Sequence, residues 1–75
     1  MNSAMIEVFR TNVNSRNEAD LLAGKIHETF ESYLANFDLE DCDKILRIET
    51  AGEHLDAKAI INLVNQYGFM AEAFE

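Results

Sequence analysis

The sequence has no proline and no tryptophan, a single cysteine and only six basic residues. The absence of proline, with a hydrophobic content of 48%, argues against a disordered chain. The lone Cys42 cannot form an intramolecular disulfide, which is typical of proteins in reducing compartments. No apolar run approaches the roughly 18–20 residues needed to cross a bilayer, and no basic, apolar leader is recognisable. The sequence therefore predicts one soluble, cytoplasmic domain over residues 1–75.

Acidic residues outnumber basic ones by 14 to 6, which gives a formal net charge of −8. Such a field repels nucleic-acid phosphates and anionic lipids. We therefore expect no nucleic-acid and no membrane partner, and we favour a basic protein or a cation instead. Net negative charge also keeps small proteins in solution by itself, so the charge does not identify a partner.

The first half of the sequence predicts a strand followed by a helix. Residues 5–11, "MIEVFRT", alternate β-branched and aromatic types, as strands do. Ser15 and Glu18 form an S-x-x-E capping box, with Asn14 as the alternative N-cap, and the helix is expected to run to about Ser32. Helical spacing places six residues on its apolar face: Ala19, Leu22, Ala23, Ile26, Phe30 and Tyr33.

The second half predicts a hairpin, a second helix and a last strand. The stretches "ANFDLED" and "KILRIET" alternate around the short link Asp41-Cys42-Asp43, which favours two antiparallel strands. Asp56 is the expected cap of the helix "AKAIINLVNQY", and Gly68 is expected to end it in a left-handed conformation. "FMAEAF" then forms a short strand. This order predicts an α+β, ferredoxin-like βαββαβ sandwich, a four-stranded antiparallel sheet with both helices on one face.

Four stretches carry a family resemblance: the junction "FRTNVNSRNEADLL", the hairpin "NFDLEDCDKILRIE", the second helix and the ending "YGFMAEAF". In these stretches the chain resembles the heavy-metal-associated (HMA) domain family, which includes copper chaperones and the metal-binding modules of metal-pumping ATPases. The resemblance covers nearly the whole chain and implies the same ferredoxin-like fold.

The metal-binding signature of that family is missing. The family's M-x-C-x-x-C motif holds Cu(I) or Zn(II) between two thiolates, which suit soft ions. With Leu21 in the register of the family's helix-anchoring residue, the methionine position is Asn12 and the cysteine positions are Asn14 and Asn17. A neutral amide oxygen cannot replace a thiolate for a soft ion. The chain is thus similar to small HMA-like variants without CxxC, and the resemblance does not imply copper transfer.

The acidic hairpin offers weak candidates for a displaced metal site. Asp41 and Asp43 flank Cys42, with Asp38 and Glu40 just before them, and clustered carboxylates attract hard cations. The spacing does not fit a calcium loop, and a solvated acidic turn explains the same pattern. Cys42 could bind metal only with ligands from elsewhere, such as a second chain.

The sequence contains no constellation typical of an enzyme. No serine or cysteine has a paired base in view, and there is no glycine-rich phosphate loop. His27 and His54 are expected on the surface, without other ligands at metal-binding spacing. We expect no cofactor and no catalytic activity.

One face of the predicted sheet is left open by the helices. If Ile6 and Val8 face the helices, Phe9 and Ile45 face away from them. One of the two possible phases of the last strand adds Met70 and Phe74, so the interaction candidates are Phe9, Ile45, Met70 and Phe74. An apolar patch framed by charge is typical of a partner surface or a homodimer. The first hypothesis is therefore a non-enzymatic protein-interaction or self-association module, and the alternative is a metal-binding protein that uses Cys42 and nearby carboxylates.

Overall fold

A computed structural model describes residues 4–40, 42–51 and 54–73 of the chain. Its elements, in chain order, are the strand β1 (Ala4–Thr11), the helix α1 (Arg16–Thr29), the strands β2 (Tyr33–Asp38) and β3 (Ile45–Ala51), the helix α2 (Ala57–Gln66) and the strand β4 (Ala71–Ala73). Within the described ranges, neither helix has the length and apolar character needed to span a membrane.

Local side-chain chemistry sets the ends of both helices. The Ser15 hydroxyl accepts a hydrogen bond from the Glu18 N–H at 3.1 Å, so Ser15 rather than Asn14 is the N-cap of α1. The Asp56 carboxylate accepts the corresponding bond from the Ala59 N–H at 3.2 Å. Gly68, just after α2, has a φ of +86°, a conformation that glycine adopts without a steric penalty. All three sequence predictions are confirmed.

The first helix ends about one turn before the predicted Ser32. Phe30 is its C-cap, and its N–H donates to the Ile26 carbonyl. Tyr33, predicted on the apolar face of the helix, instead begins β2, where side chains alternate between buried and exposed. The rings of Phe30 and Tyr33 stack with their centroids 4.8 Å apart. The spacing of Phe30 and Tyr33, which favours a longer helix, therefore reflects the stacking of their rings across the turn between α1 and β2.

The hairpin and the last strand also differ from their predicted bounds. β2 ends at Asp38 and β3 begins at Ile45, so the connection is longer than the predicted link Asp41-Cys42-Asp43. Lys44, directly before β3, has a φ of +52°, and the strand begins only after this left-handed residue. β4 covers residues 71–73 rather than 69–74, and residue 74 lies outside the described ranges.

The four strands form one antiparallel sheet in the order β2-β3-β1-β4. Phe9 of β1 lies opposite Leu46 of β3, which in turn lies opposite Phe37 of β2. These side chains share one core with both helices, which contribute Ala19, Leu22, Ile26, Ile60, Leu63 and Val64. The α+β class and the antiparallel four-stranded sheet are confirmed.

Tyr33 connects the sheet to the second helix. Its hydroxyl donates to the carbonyl of His54 at 3.3 Å and accepts from the N–H of Asp56 at 2.9 Å. Asp56 is also the N-cap of α2. One tyrosine at the start of β2 thus fixes where the distant second helix begins.

Candidate functional site

The β1–α1 junction, where the resembled family binds metal, is held together by its own hydrogen bonds. The Thr11 hydroxyl donates to the Lys44 carbonyl at 2.6 Å and accepts from the Val13 N–H at 3.2 Å. The Asn12 side-chain oxygen accepts from the Met70 N–H at 2.8 Å. The oxygen at the family's methionine position is therefore already engaged in joining this junction to the residues before β4.

The other two positions of the family motif have no role in the core. Asn14 and Asn17 are both exposed, beside the buried Val13. Ser15 between them caps the helix, as described above. The junction therefore provides helix initiation and a tie between strands, and its exposed oxygens are amides.

The hairpin tip uses its polar groups to shape the turn. The Asp38 carboxylate accepts from the Glu40 N–H at 3.3 Å, and the Lys44 ammonium donates to the Leu39 carbonyl at 3.3 Å. Cys42 is exposed and Asp43 is half-buried, whereas Asp41 lies outside the described residues. In the ranges 4–40, 42–51 and 54–73, no three His, Cys, Asp or Glu side chains come together as a metal site.

The structure reverses the predicted phase of β1. Phe9 lies opposite Leu46 and is 0% exposed in the core, whereas Ile6 is 56% exposed. The prediction that Phe9 faces away from the helices is therefore wrong, and so is the inward placement of Ile6 and Val8. A shift of one residue moves every side chain of a strand to the other face. The large ring of Phe9 fills the core in place of the two aliphatic residues.

The remaining interaction candidates lie in different surroundings. Ile45 faces away from the core as predicted, between Arg10 and Asp38, but it is only 8% exposed and offers little contact area. Met70 is 68% exposed and lies directly before β4. Phe74 lies outside the described residues.

The sheet face directed away from the helices is called the open face below. Side chains alternate between the two faces along each strand. With the observed register, the residues on the open face are Ile6, Val8, Arg10, Leu34, Asn36, Asp38, Ile45, Arg47, Glu49 and Glu72. Glu49 lies between Leu34 on β2 and Ile6 on β1 in one row. Leu34 is 59% exposed and Ile6 is 56% exposed. This row places a carboxylate between two accessible aliphatic side chains.

A shallow depression lies at the β1–β4 end of the sheet. It has a volume of about 220 Å³ and is lined by residues 10–12 and 70–72. An ion pair between Arg10 and Glu72 at 3.4 Å forms part of its wall. The volume is below the roughly 300–1,000 Å³ of typical small-molecule pockets, so the depression is a surface feature beside the open face.

Two side chains of α1 bind the outer edge of β2, which sequence reasoning missed. The Ala35 N–H donates to Nε2 of His27 at 3.0 Å, and Nη2 of Arg16 donates to the Phe37 carbonyl at 3.2 Å. The exposure of His27 was predicted, but its role was not. No local sequence pattern reports this role, because the bonded groups are backbone atoms of another element.

Comparison of the chain with protein-family models, with curated proteins and with solved structures finds no match.

Proposed function

We propose that this chain is a non-enzymatic protein-interaction module built on a ferredoxin-like βαββαβ sandwich. Three observations support the fold assignment. The sheet has the order β2-β3-β1-β4, each of the helices follows one of the two inner strands β1 and β3, and both helices contribute to a single core. A fold of this kind hosts many functions, so the function depends on the groups that its surface carries.

The proposed relationship to HMA domains concerns the fold and not copper transfer. The element order and the strand-to-helix junction support it. The chemistry of the junction does not extend to soft metals, because Asn12, Asn14 and Asn17 offer only amide groups. The hydrogen bond from the Met70 N–H further occupies Asn12. The module therefore keeps the scaffold of a metal carrier with a different use for its surface.

The observation that carries the proposal is the row formed by Leu34, Glu49 and Ile6 on the open face. Two aliphatic side chains more than half exposed, on the strands either side of β3, supply apolar contact area, which partner surfaces combine with a polar rim. Glu49 has no ion-pair partner among the described residues. A partner segment with a lysine or arginine flanked by apolar side chains complements this row.

The overall charge favours the same kind of partner. A net charge of −8 attracts a basic segment and speeds its encounter. Binding to such a segment is expected to weaken as salt screens the charges, because the Debye length falls from about 10 Å at 0.1 M to about 3 Å at 1 M.

Site-specific photo-crosslinking tests the proposal. A photo-reactive amino acid at Leu34 is compared with one at Leu21, which is similarly exposed on α1, in extract from the native host. We expect a defined adduct only from position 34, and we expect excess unlabelled wild-type protein to compete it away. Unlabelled Glu49→Lys protein should compete poorly, and added salt should lower the yield.

Two results would overturn the proposal. One is the same adduct pattern from both positions, which would mean that the open face is no better a contact site than α1. The other is equal competition by wild-type and Glu49→Lys protein, which would remove the central carboxylate from the binding surface.

A further inference from the structure

A histidine on α1 closes the middle of the β2 edge. In the described ranges, β2 pairs only with β3, so its other side is an edge of the sheet. Near the middle of this edge, the Ala35 N–H donates to Nε2 of His27 at 3.0 Å. A ring nitrogen accepts a hydrogen bond only while it carries no proton. The contact therefore requires the neutral imidazole, with its single hydrogen on Nδ1.

The edge bonds on either side of Ala35 do not depend on a group that titrates near neutral pH. Before it, the Tyr33 N–H donates to the Phe30 carbonyl at 3.1 Å. After it, the Phe37 carbonyl accepts from Nη2 of Arg16 at 3.2 Å, and a guanidinium stays protonated in proteins. The bond at Ala35 is thus the one in this row that a proton can break.

Opposite influences act on the charge of His27. It lies in the last turn of α1, where the partial negative charge of the helix end attracts a cation. Glu28 and Glu31 are its acidic neighbours in the chain, and the Lys25 ammonium pairs with Glu28 at 3.7 Å. The side chain is exposed, so the charged form keeps its contact with water. The hydrogen bond from Ala35, in contrast, favours the neutral form.

The other ionisable side chains around α1 belong to types that keep their charge while a histidine titrates. α1 packs against β2 and α2. Beyond the neighbours of His27, the ionisable residues of these three elements are Arg16, Glu18, Asp20, Tyr33, Asp38 and Lys58. Carboxylates ordinarily change charge below pH 5, and tyrosine, lysine and arginine above pH 8, whereas histidine changes between them.

We propose that His27 is a pH-sensitive latch between α1 and the β2 edge. The neutral ring accepts the Ala35 N–H and ties the last turn of α1 to the strand. Uptake of one proton from water places a hydrogen on Nε2, so that two donors face each other and the bond is lost. The Ala35 N–H then becomes accessible to water or to an acceptor from another chain, as on an unprotected sheet edge.

The latch opens the edge at one position, because the bonds of Tyr33 and Phe37 on either side remain. The inference goes beyond the proposed function, since it concerns a backbone group at the edge of β2 rather than the side chains of the open face.

Nitrogen-15 NMR of the labelled wild-type protein tests the latch without a variant. At about pH 8, we expect the His27 ring to carry its hydrogen on Nδ1 and a scalar coupling to join Nε2 to the Ala35 amide nitrogen. The coupling should vanish as the pH falls to about 5, the lower end of the range in which histidine changes charge.

Amide exchange over the same pH range measures the consequence for the edge. Protection of the Ala35 amide, relative to an unstructured peptide at each pH, should fall by about fivefold through the loss of one hydrogen bond. The Tyr33 amide provides the internal reference. Its protection should stay the same, because its acceptor is the Phe30 carbonyl.

Two matched variants separate His27 from His54, the other histidine of the chain. Glutamine keeps a side-chain acceptor that does not titrate, so His27→Gln should remove the pH dependence of Ala35 protection. His54→Gln should leave the wild-type pH dependence unchanged.

Any of three results would overturn the latch. The first is a neutral His27 ring with its hydrogen on Nε2. The second is wild-type protection of Ala35 that is the same at both ends of the pH range. The third is a pH dependence that persists in His27→Gln or disappears in His54→Gln, which would assign it to another group.

Discussion

The Thr50 hydroxyl is buried in the sheet and makes no hydrogen bond to any residue that the structure describes. Its side chain is 2% exposed, between Met5 and Tyr33 on the neighbouring strands. Oγ1 has no hydrogen-bond partner within the part of the chain that the structure describes. Burying a polar group in this way costs roughly 1–3 kcal/mol. Valine has nearly the same shape and no hydroxyl, so we expect Thr50→Val to raise the free energy of unfolding by about 1 kcal/mol, the lower end of that range.

Urea and thermal unfolding followed by circular dichroism measure this change. The urea midpoint should rise at an unchanged slope, since the surface exposed on unfolding is nearly the same. For a domain of this size, a gain of about 1 kcal/mol corresponds to a rise of roughly 4–8 °C in the melting temperature. Thr50→Ser keeps the hydroxyl and loses a buried methyl group, and we expect it to destabilise the protein by about 1 kcal/mol.

Thr11 provides the matched control for the same chemical change. Its hydroxyl makes two hydrogen bonds, to the Lys44 carbonyl and from the Val13 N–H. Thr11→Val should therefore lower the stability by about 1–3 kcal/mol, because it leaves two backbone groups without their partner. If Thr50→Val destabilises the protein as much as Thr11→Val does, the Thr50 hydroxyl has a partner in solution and the reasoning fails.

Three further predictions concern the core, the β2 edge and the β1–α1 junction. Phe9→Ala should cost about 3–5 kcal/mol in urea unfolding, whereas Ile6→Ala should cost less than about 1 kcal/mol; equal costs would contradict the observed phase of β1. His27→Ala should speed amide exchange at Ala35 by about fivefold through the loss of roughly 1 kcal/mol. His27→Gln, which keeps an acceptor, should restore much of the protection. If amide exchange at Ala35 is unchanged in both variants, His27 does not protect the β2 edge. Asn12→Ala should destabilise the start of β4 by about 0.5–1.5 kcal/mol, and an Asn12→Asp variant that is equally weakened would show that the side-chain oxygen is not the acceptor that matters.

Features set by neighbouring residues could be predicted from the sequence. Ser15, Asp56 and Gly68 act within a few residues of their own positions, so their residue types are sufficient evidence. The phase of β1 could not be predicted in the same way. Both alternating sets of this strand contain apolar side chains, Ile6 and Val8 in one and Met5 and Phe9 in the other. The register with β3 decides between them, and pairing at that distance has no local signal.

The candidate surface was predictable only in outline. An open face follows from any four-stranded sheet with its helices packed on one side. The row formed by Leu34, Glu49 and Ile6 depends on how three strands align. The capping of β2 by Arg16 and His27 depends on how α1 lies along the edge. Such roles arise from tertiary geometry, in which a side chain and its backbone partner are set by different parts of the chain.

The double hydrogen bond of the Tyr33 hydroxyl has a consequence for how the molecule unfolds. It joins β2 to the carbonyl of His54 and the N–H of Asp56, both of which follow β3 in the chain. Release of α2 from the sheet therefore also breaks contacts of β2, and fraying of β2 also frees the start of α2. The two βαβ halves are thus expected to open as a single cooperative unit, with slow-exchanging amides in both halves reporting the same opening free energy.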